Sequence, residues 1–121
     1  MEDRVIAALK QVSSLVKGFA CYIVASADGK IIAQGGDCSA LKEPWLLRML
    51  FGDKEEIIST FDFLDGNITP LHYRQGDVRC VLLKPTGDIV VGIFYQGSGD
   101  PLLMYEEGVK IGDAFNAKMQ G

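Results

Sequence analysis

From Glu2 to Lys17 the apolar residues Val5, Leu9, Val12 and Val16 recur at three- and four-residue steps, with Ala8 and Leu15 beside them. That spacing is one stripe of an amphipathic helix, and Lys17 and Gly18 supply a basic last turn and a stop. The pattern then changes. Residues 19–25 are aromatic, β-branched and small, and Asp28-Gly29 separates them from Lys30-Ile31-Ile32-Ala33-Gln34. An Asp-Gly pair between two strand-like runs marks a hairpin, because glycine accepts the positive φ of a tight turn. The first of the two strands is apolar on both faces, as a central strand covered by helices on both sides requires.

Gly35-Gly36 ends the second strand, and a helical region follows in which Pro44 and Gly52 are interruptions. Proline is tolerated in the first turn of a helix, which places the start near Glu43 or Pro44 and makes Trp45, Leu46, Leu47, Met49, Leu50 and Phe51 a strongly apolar piece. Asp53 and Glu56 have the spacing of a capping box, so a second piece carrying Ile57, Ile58, Phe61 and Leu64 restarts there. Two short helices or one kinked helix are expected, closed by Asp65-Gly66-Asn67. Ile68 to Gln75 reads as the least apolar strand. Its Pro70 lacks a backbone donor and belongs at an edge or a strand start. Gly76-Asp77 leads into Val78–Leu83, and Pro85-Thr86-Gly87-Asp88 into Ile89–Tyr95, so these neighbours run antiparallel. Asp100 as N-cap and Pro101 as first residue open a last helix to about Lys118. Its buried face draws on Leu103 or Met104, Val109 or Ile111, and Phe115.

At 121 residues with 48% hydrophobic side chains, the chain suits one domain and one core. The longest nearly apolar run, Phe19 to Ala27, is about nine residues against the roughly twenty that span a bilayer. The opening Met1-Glu2-Asp3-Arg4 has no secretory pattern, so a cytoplasmic location is expected. A formal charge of −4 without a dense basic stripe argues against nucleic acid as a partner. Cys21, Cys38 and Cys80 are odd in number and widely spaced, which offers neither a disulfide framework nor a C-x-x-C pair. Cys21 and Cys80 sit in apolar runs and read as small buried hydrophobes, whereas Cys38 lies in a polar stretch and reads as exposed.

Catalytic constellations are sparse. His72 is the single histidine, so every Ser-His-Asp, Cys-His or multi-histidine metal site would depend on it alone. Gly29-Lys30 is followed by Ile31 rather than Ser or Thr, and no phosphate-binding loop is formed. Asp53, Glu55, Glu56, Asp62 and Asp65 read as a solvated helix face without calcium-loop spacing. A non-catalytic protein without metal or cofactor is expected.

The order helix, strand, strand, helical region, three strands, helix defines an α+β domain. Together with Tyr22-Ile23-Val24-Ala25-Ser26-Ala27-Asp28-Gly29 leading to Ile32-Ala33, and with Val81–Phe94 as the last hairpin, it resembles the roadblock/LC7 (dynein light chain, MglB-like) family over nearly the whole chain. Profilin, with a similar broad architecture and a comparable C-terminal helix, is the second resemblance. The roadblock resemblance implies a five-stranded, mostly antiparallel sheet in order 2-1-5-4-3. The two terminal helices would lie on one face and the kinked or split middle helix on the other. It further implies an open third strand where two protomers pair into a homodimer, and a Ras-like small GTPase as partner, scaffolded or activated without a conventional arginine finger. For the interface, the residue types and their placement single out Trp45, Leu46, Met49, Leu50 and Phe51 on the helix, with Leu71, His72, Tyr73 and Arg74 on the edge strand. The alternatives are a small-molecule-sensing domain with an apolar pocket between sheet and middle helix, and a profilin-like cytoskeletal binder.

Overall fold

A computed structural model describes residues 2–41, 45–65, 70–97 and 101–120, with the side chains of residues 2 and 101–104 left aside. In chain order the elements are α1 (Glu2–Ser13), β1 (Phe19–Ser26), β2 (Ile31–Gly36), a single 3₁₀ turn (Cys38–Ala40), α2 (Trp45–Phe51), α3 (Lys54–Leu64), β3 (Leu71–Gln75), β4 (Val78–Thr86), β5 (Ile89–Gln96) and α4 (Pro101–Gln120). The strands form one sheet in the order β2-β1-β5-β4-β3, with every neighbouring pair antiparallel. This is the order that the resemblance implied.

Strand alternation divides the core into two layers. Cys21, Ile23 and Ala25 of β1, Val90 and Phe94 of β5, and Val78, Cys80 and Leu82 of β4 pack with α2 and α3. The alternate residues Tyr22, Val24, Val81, Leu83, Val91, Ile93 and Tyr95 pack with Val5, Leu9 and Val12 of α1 and Ile111 and Phe115 of α4. The central strands are therefore apolar on both faces because both faces are covered. Arg4 of α1 also donates to the carbonyl of Met119, joining the two terminal helices. Phe51, at the end of α2, packs edge-on against Phe94 with centroids 6.0 Å apart. The ring also lies on Gly92 of β5, where an added Cβ would come within 2.5 Å of it. Position 92 has to lack a side chain for α2 to approach the sheet this closely.

The middle helix is split, as Gly52 and Asp53 suggested. Asp53 accepts from the Glu56 N–H at 2.8 Å and opens α3. Thr60 Oγ1 donates to the Leu50 carbonyl at 2.8 Å, tying α3 to the end of α2. The expected start at Glu43 or Pro44, the Gly66-Asn67 close, the strand residues before Pro70 and the Asp100 cap lie outside the described residues, as do the side chains of Leu103 and Met104.

Three local expectations are corrected. Helix α1 ends at Ser13 rather than near Lys17. The Ser13 and Ser14 hydroxyls donate to the carbonyls of Leu9 and Gln11, and the chain tightens into Leu15 N–H to Val12 and Val16 N–H to Ser13 turns. Leu15 thereby leaves the buried stripe and is 69% exposed. Strand β4 continues through Pro85 to Thr86, and its register with β5 shifts between Leu83 and Thr86, which accommodates the proline. Finally, Cys21 is not a free thiol. It is disulfide-bonded to Cys38, with Cα atoms 5.1 Å apart, while Cys80 alone remains a buried thiol. The hairpin places Gly36 opposite Cys21, and the positive φ of Gly36 (81°) turns the chain back so that Cys38 reaches β1. A spacing of 17 residues concealed the pairing.

Candidate interaction surface

Two strands bound the sheet, and they are not equivalent. The pairing of β2 with β1 is broken by a register shift at Val24/Ala25, and β2 ends in Gly35-Gly36. Such irregularity blunts an edge. Strand β3, by contrast, pairs in unbroken register with β4 from Leu71↔Leu82 to Gln75↔Val78, and no described strand lies on its outer side. It therefore presents a row of outward backbone groups suited to a further strand.

Helix α2 runs beside this edge and separates its two faces at helical spacing. Leu46, Leu50 and Phe51 are buried at 3, 6 and 2% exposure, whereas Trp45 and Met49, four residues apart, are 64 and 51% exposed. The expectation that all five face a partner is thus corrected. Leu46, Leu50 and Phe51 fill the chain's own core, and the surface contribution of α2 reduces to Trp45 and Met49. Between α2 and β3 lies an open groove of about 560 Å³, walled by Trp45, Arg48 and Met49 on one side and Tyr73, Arg74 and Gln75 on the other, with Glu56 of α3 contributing. The Tyr73 ring reaches Phe63 of α3, 54% exposed, at 6.5 Å between centroids and extends the aromatic surface. Leu71 packs inward on the α2/α3 core.

His72 points to the other face of the sheet. Its ring makes an edge contact with Tyr105 of α4 at 5.3 Å and lies against Gly108. Its Nε2 is buried without a hydrogen-bond partner, and burial lowers its pKa below the ordinary 6.5. Among the described residues this neutral imidazole has neither an orienting carboxylate nor a nucleophile beside it, and so is not arranged as a general base. Among the described residues, no three His, Cys, Asp or Glu side chains converge to hold a metal ion, and no helix is long and apolar enough to cross a membrane.

One polar feature escaped the sequence reading. Arg79 of β4, 2% exposed, faces α4 and is paired with Glu107 at 3.3 Å. Burial foremost, with the Glu107 charge adding to it, pushes the Tyr95 phenol up to about 12. The available signal was an arginine between Val78 and Cys80 in an otherwise apolar strand, a position that demands a carboxylate from elsewhere in the fold.

An all-antiparallel 2-1-5-4-3 sheet with paired terminal helices on one face and a split helix beside a free edge defines the class of architecture. No family model matches the sequence, and no curated protein matches it. The solved structures place it: MglC from Myxococcus xanthus superposes with a TM-score of 0.66 at 13% identity, covering 97% of this chain and 98% of MglC. An MglB structure with a tetrameric arrangement gives a TM-score of 0.59 at 10% identity over 98% of this chain and 89% of that one. A roadblock/LC7 domain from Streptomyces avermitilis gives 0.50 at 8% identity, covering 95% and 97%. The chain has the roadblock/LC7, MglB-like fold.

Proposed function

We propose that this protein is a non-catalytic, homodimeric regulatory module that binds a Ras-like small GTPase in the cytoplasm and acts as its scaffold or activator. The single observation that carries the reading is the coincidence of the unblunted β3 edge with the exposed Trp45 and Met49 and the half-buried Tyr73 beside it. Antiparallel pairing of two β3 strands would satisfy the outward backbone groups, and the α2 groove of each copy would receive apolar side chains from the other. Tryptophan and tyrosine are the residue types that anchor such contacts. Assembly of an MglB of the same fold into a tetramer supports an oligomeric role for this scaffold. With no acid–base pair or metal cluster among the described residues, the module would act on a GTPase by holding its nucleotide-binding loops in one conformation rather than by contributing chemistry.

Light scattering tests the first half. Twice the 13.2 kDa protomer mass is expected at micromolar concentration, reverting to one protomer in a folded Trp45→Ala/Met49→Glu variant. A 13.2 kDa particle for the unaltered chain refutes the dimer. The second half is tested by nucleotide-dependent binding of a Ras-like GTPase from the same organism and by its GTP hydrolysis rate with and without the module. Equal binding of the GDP and GTP forms, with no change in hydrolysis, rejects the regulatory role.

A further inference from the structure

The Cys21–Cys38 bond joins β1, one strand in from the β2 edge, to the connection that leads into α2. We infer that this bond is a thiol–disulfide exchange site, entered at Cys38, whose state sets how firmly α2 is held against the sheet. Three features of the geometry support it.

The first is access. Cys21 is fully buried, whereas Cys38 is half-buried at the surface, where the Gln34 amide reaches its sulfur at 3.4 Å. An incoming thiolate therefore meets the Cys38 sulfur first. The second is isolation from the third cysteine. Cys21 and Cys80 are each registered with Phe94 from opposite sides of β5. Two strand spacings, about 10 Å, separate their backbones, beyond the roughly 7 Å that a disulfide can bridge. Reduction cannot be diverted into a Cys21–Cys80 bond, so the pair switches between two defined states. The third is what else holds the turn. Asp37 N–H donates to the Ala20 carbonyl at 2.8 Å, the Asp37 side chain caps Ser39, and the Gln96 amide donates to the Ala40 carbonyl at 3.0 Å. The last two are solvent-exposed side-chain bonds. Leu41, buried next to the turn, and Cys38 itself pack on the same core cluster as Leu46, Leu50 and Phe51. Among the described residues, the covalent tie is thus the strongest restraint on the chain between β2 and α2.

The exchange is balanced with a dithiol reductant. Its thiolate attacks the Cys38 sulfur, the Cys21–Cys38 bond breaks, and Cys21 leaves as thiolate and takes up a proton. The reductant's second thiol then attacks the mixed disulfide, releasing Cys38, and the reductant ends as a disulfide having given two electrons and two protons. Intracellular dithiols would favour the open state and an oxidising compartment the closed one.

The effect of the switch on assembly rests on the proposed α2/β3 interface, but the exchange itself does not. The test uses the full chain, purified in air, with and without dithiothreitol. In native buffer, alkylation should label neither Cys21 nor Cys38 before reduction and Cys38 after it, with the buried Cys21 and Cys80 thiols protected until the chain is denatured. Hydrogen exchange over residues 37–51 should accelerate at least several-fold on reduction while β4 and β5 stay protected. The melting temperature should fall by about 10 °C, the scale expected for opening a 17-residue loop in a domain of this size. A Cys38→Ser variant should reproduce the reduced state and no longer respond to dithiothreitol. Free Cys38 in the air-purified protein that glutathione disulfide fails to close overturns the inference, as does reduction that leaves exchange over 37–51 unchanged. If the exchange behaves as expected but the chain is monomeric in both states, the inference about α2 stands and the dimer proposal fails. A dimer unaffected by reduction, despite faster exchange, overturns the link to assembly alone.

Discussion

The contact between Phe51 and Gly92 can be measured as a coupling energy. Phe51 is 2% exposed and brings the end of α2 down on the sheet, so Phe51→Ala removes a full aromatic side chain from the core. Such truncations cost about 3–5 kcal/mol, a large share of the roughly 5–15 kcal/mol that holds a domain folded. With a urea m-value of about 2 kcal/mol/M, the midpoint should fall by about 2 M. Gly92→Ala in the unaltered chain sets a Cβ 2.5 Å and 2.9 Å from two Phe51 ring carbons and 3.1 Å from Phe94. Overpacking of that kind costs about 1–3 kcal/mol. In the Phe51→Ala background the two shortest contacts vanish, and alanine gains about 0.5–1 kcal/mol over glycine through the lower entropy of the unfolded strand. The second substitution should therefore be close to neutral there, giving a coupling of roughly 1–3 kcal/mol. Urea unfolding of all four proteins, at one protomer concentration so that assembly contributes equally, supplies the cycle. Additive effects within about 0.5 kcal/mol would show that the ring does not demand the glycine, and the argument for how α2 is seated would fall.

Other outcomes follow from the caps and the buried groups. Asp53→Ala removes the acceptor for the Glu56 N–H and should cost about 1 kcal/mol by chemical denaturation, with Asp53→Ser recovering most of it. His72 is held neutral by burial, so its pKa is lower in the fold than in the unfolded chain. Between those two values the unfolded state binds more protons, and the contribution is fully present above about pH 6.5 and lost as pH falls toward the folded value. Melting temperatures from pH 8 to 5 should show a decline below about 6.5 that disappears in His72→Leu. An unchanged slope would show that the ring does not titrate against α4.

Much of this molecule was legible along the chain. Period-four stripes in α1, the Asp-Gly hairpin between β1 and β2, the glycine and aspartate that split α2 from α3, and the doubly apolar central strands are all local consequences of side-chain type and backbone preference. Their order was enough to suggest a known architecture, because few ways exist to cover both faces of a five-stranded sheet with these helices. The candidate surface was legible only in part. Trp45, Leu46, Met49, Leu50 and Phe51 look alike as hydrophobic matter. Which of them faces water depends on the angle at which a seven-residue helix meets β5, and that angle is set by Gly92, distant in sequence.

Local sequence by itself determined the elements, their turns and the identity of the buried strands, since each depends on interactions within a few residues. Only the tertiary structure decided that Cys38 returns to Cys21, that Arg79 finds Glu107, that His72 turns toward α4, and that β3 rather than β2 keeps a straight free edge. Each of these is a meeting of residues far apart along the chain. Such meetings are set by sheet register and helix placement, which no local pattern encodes.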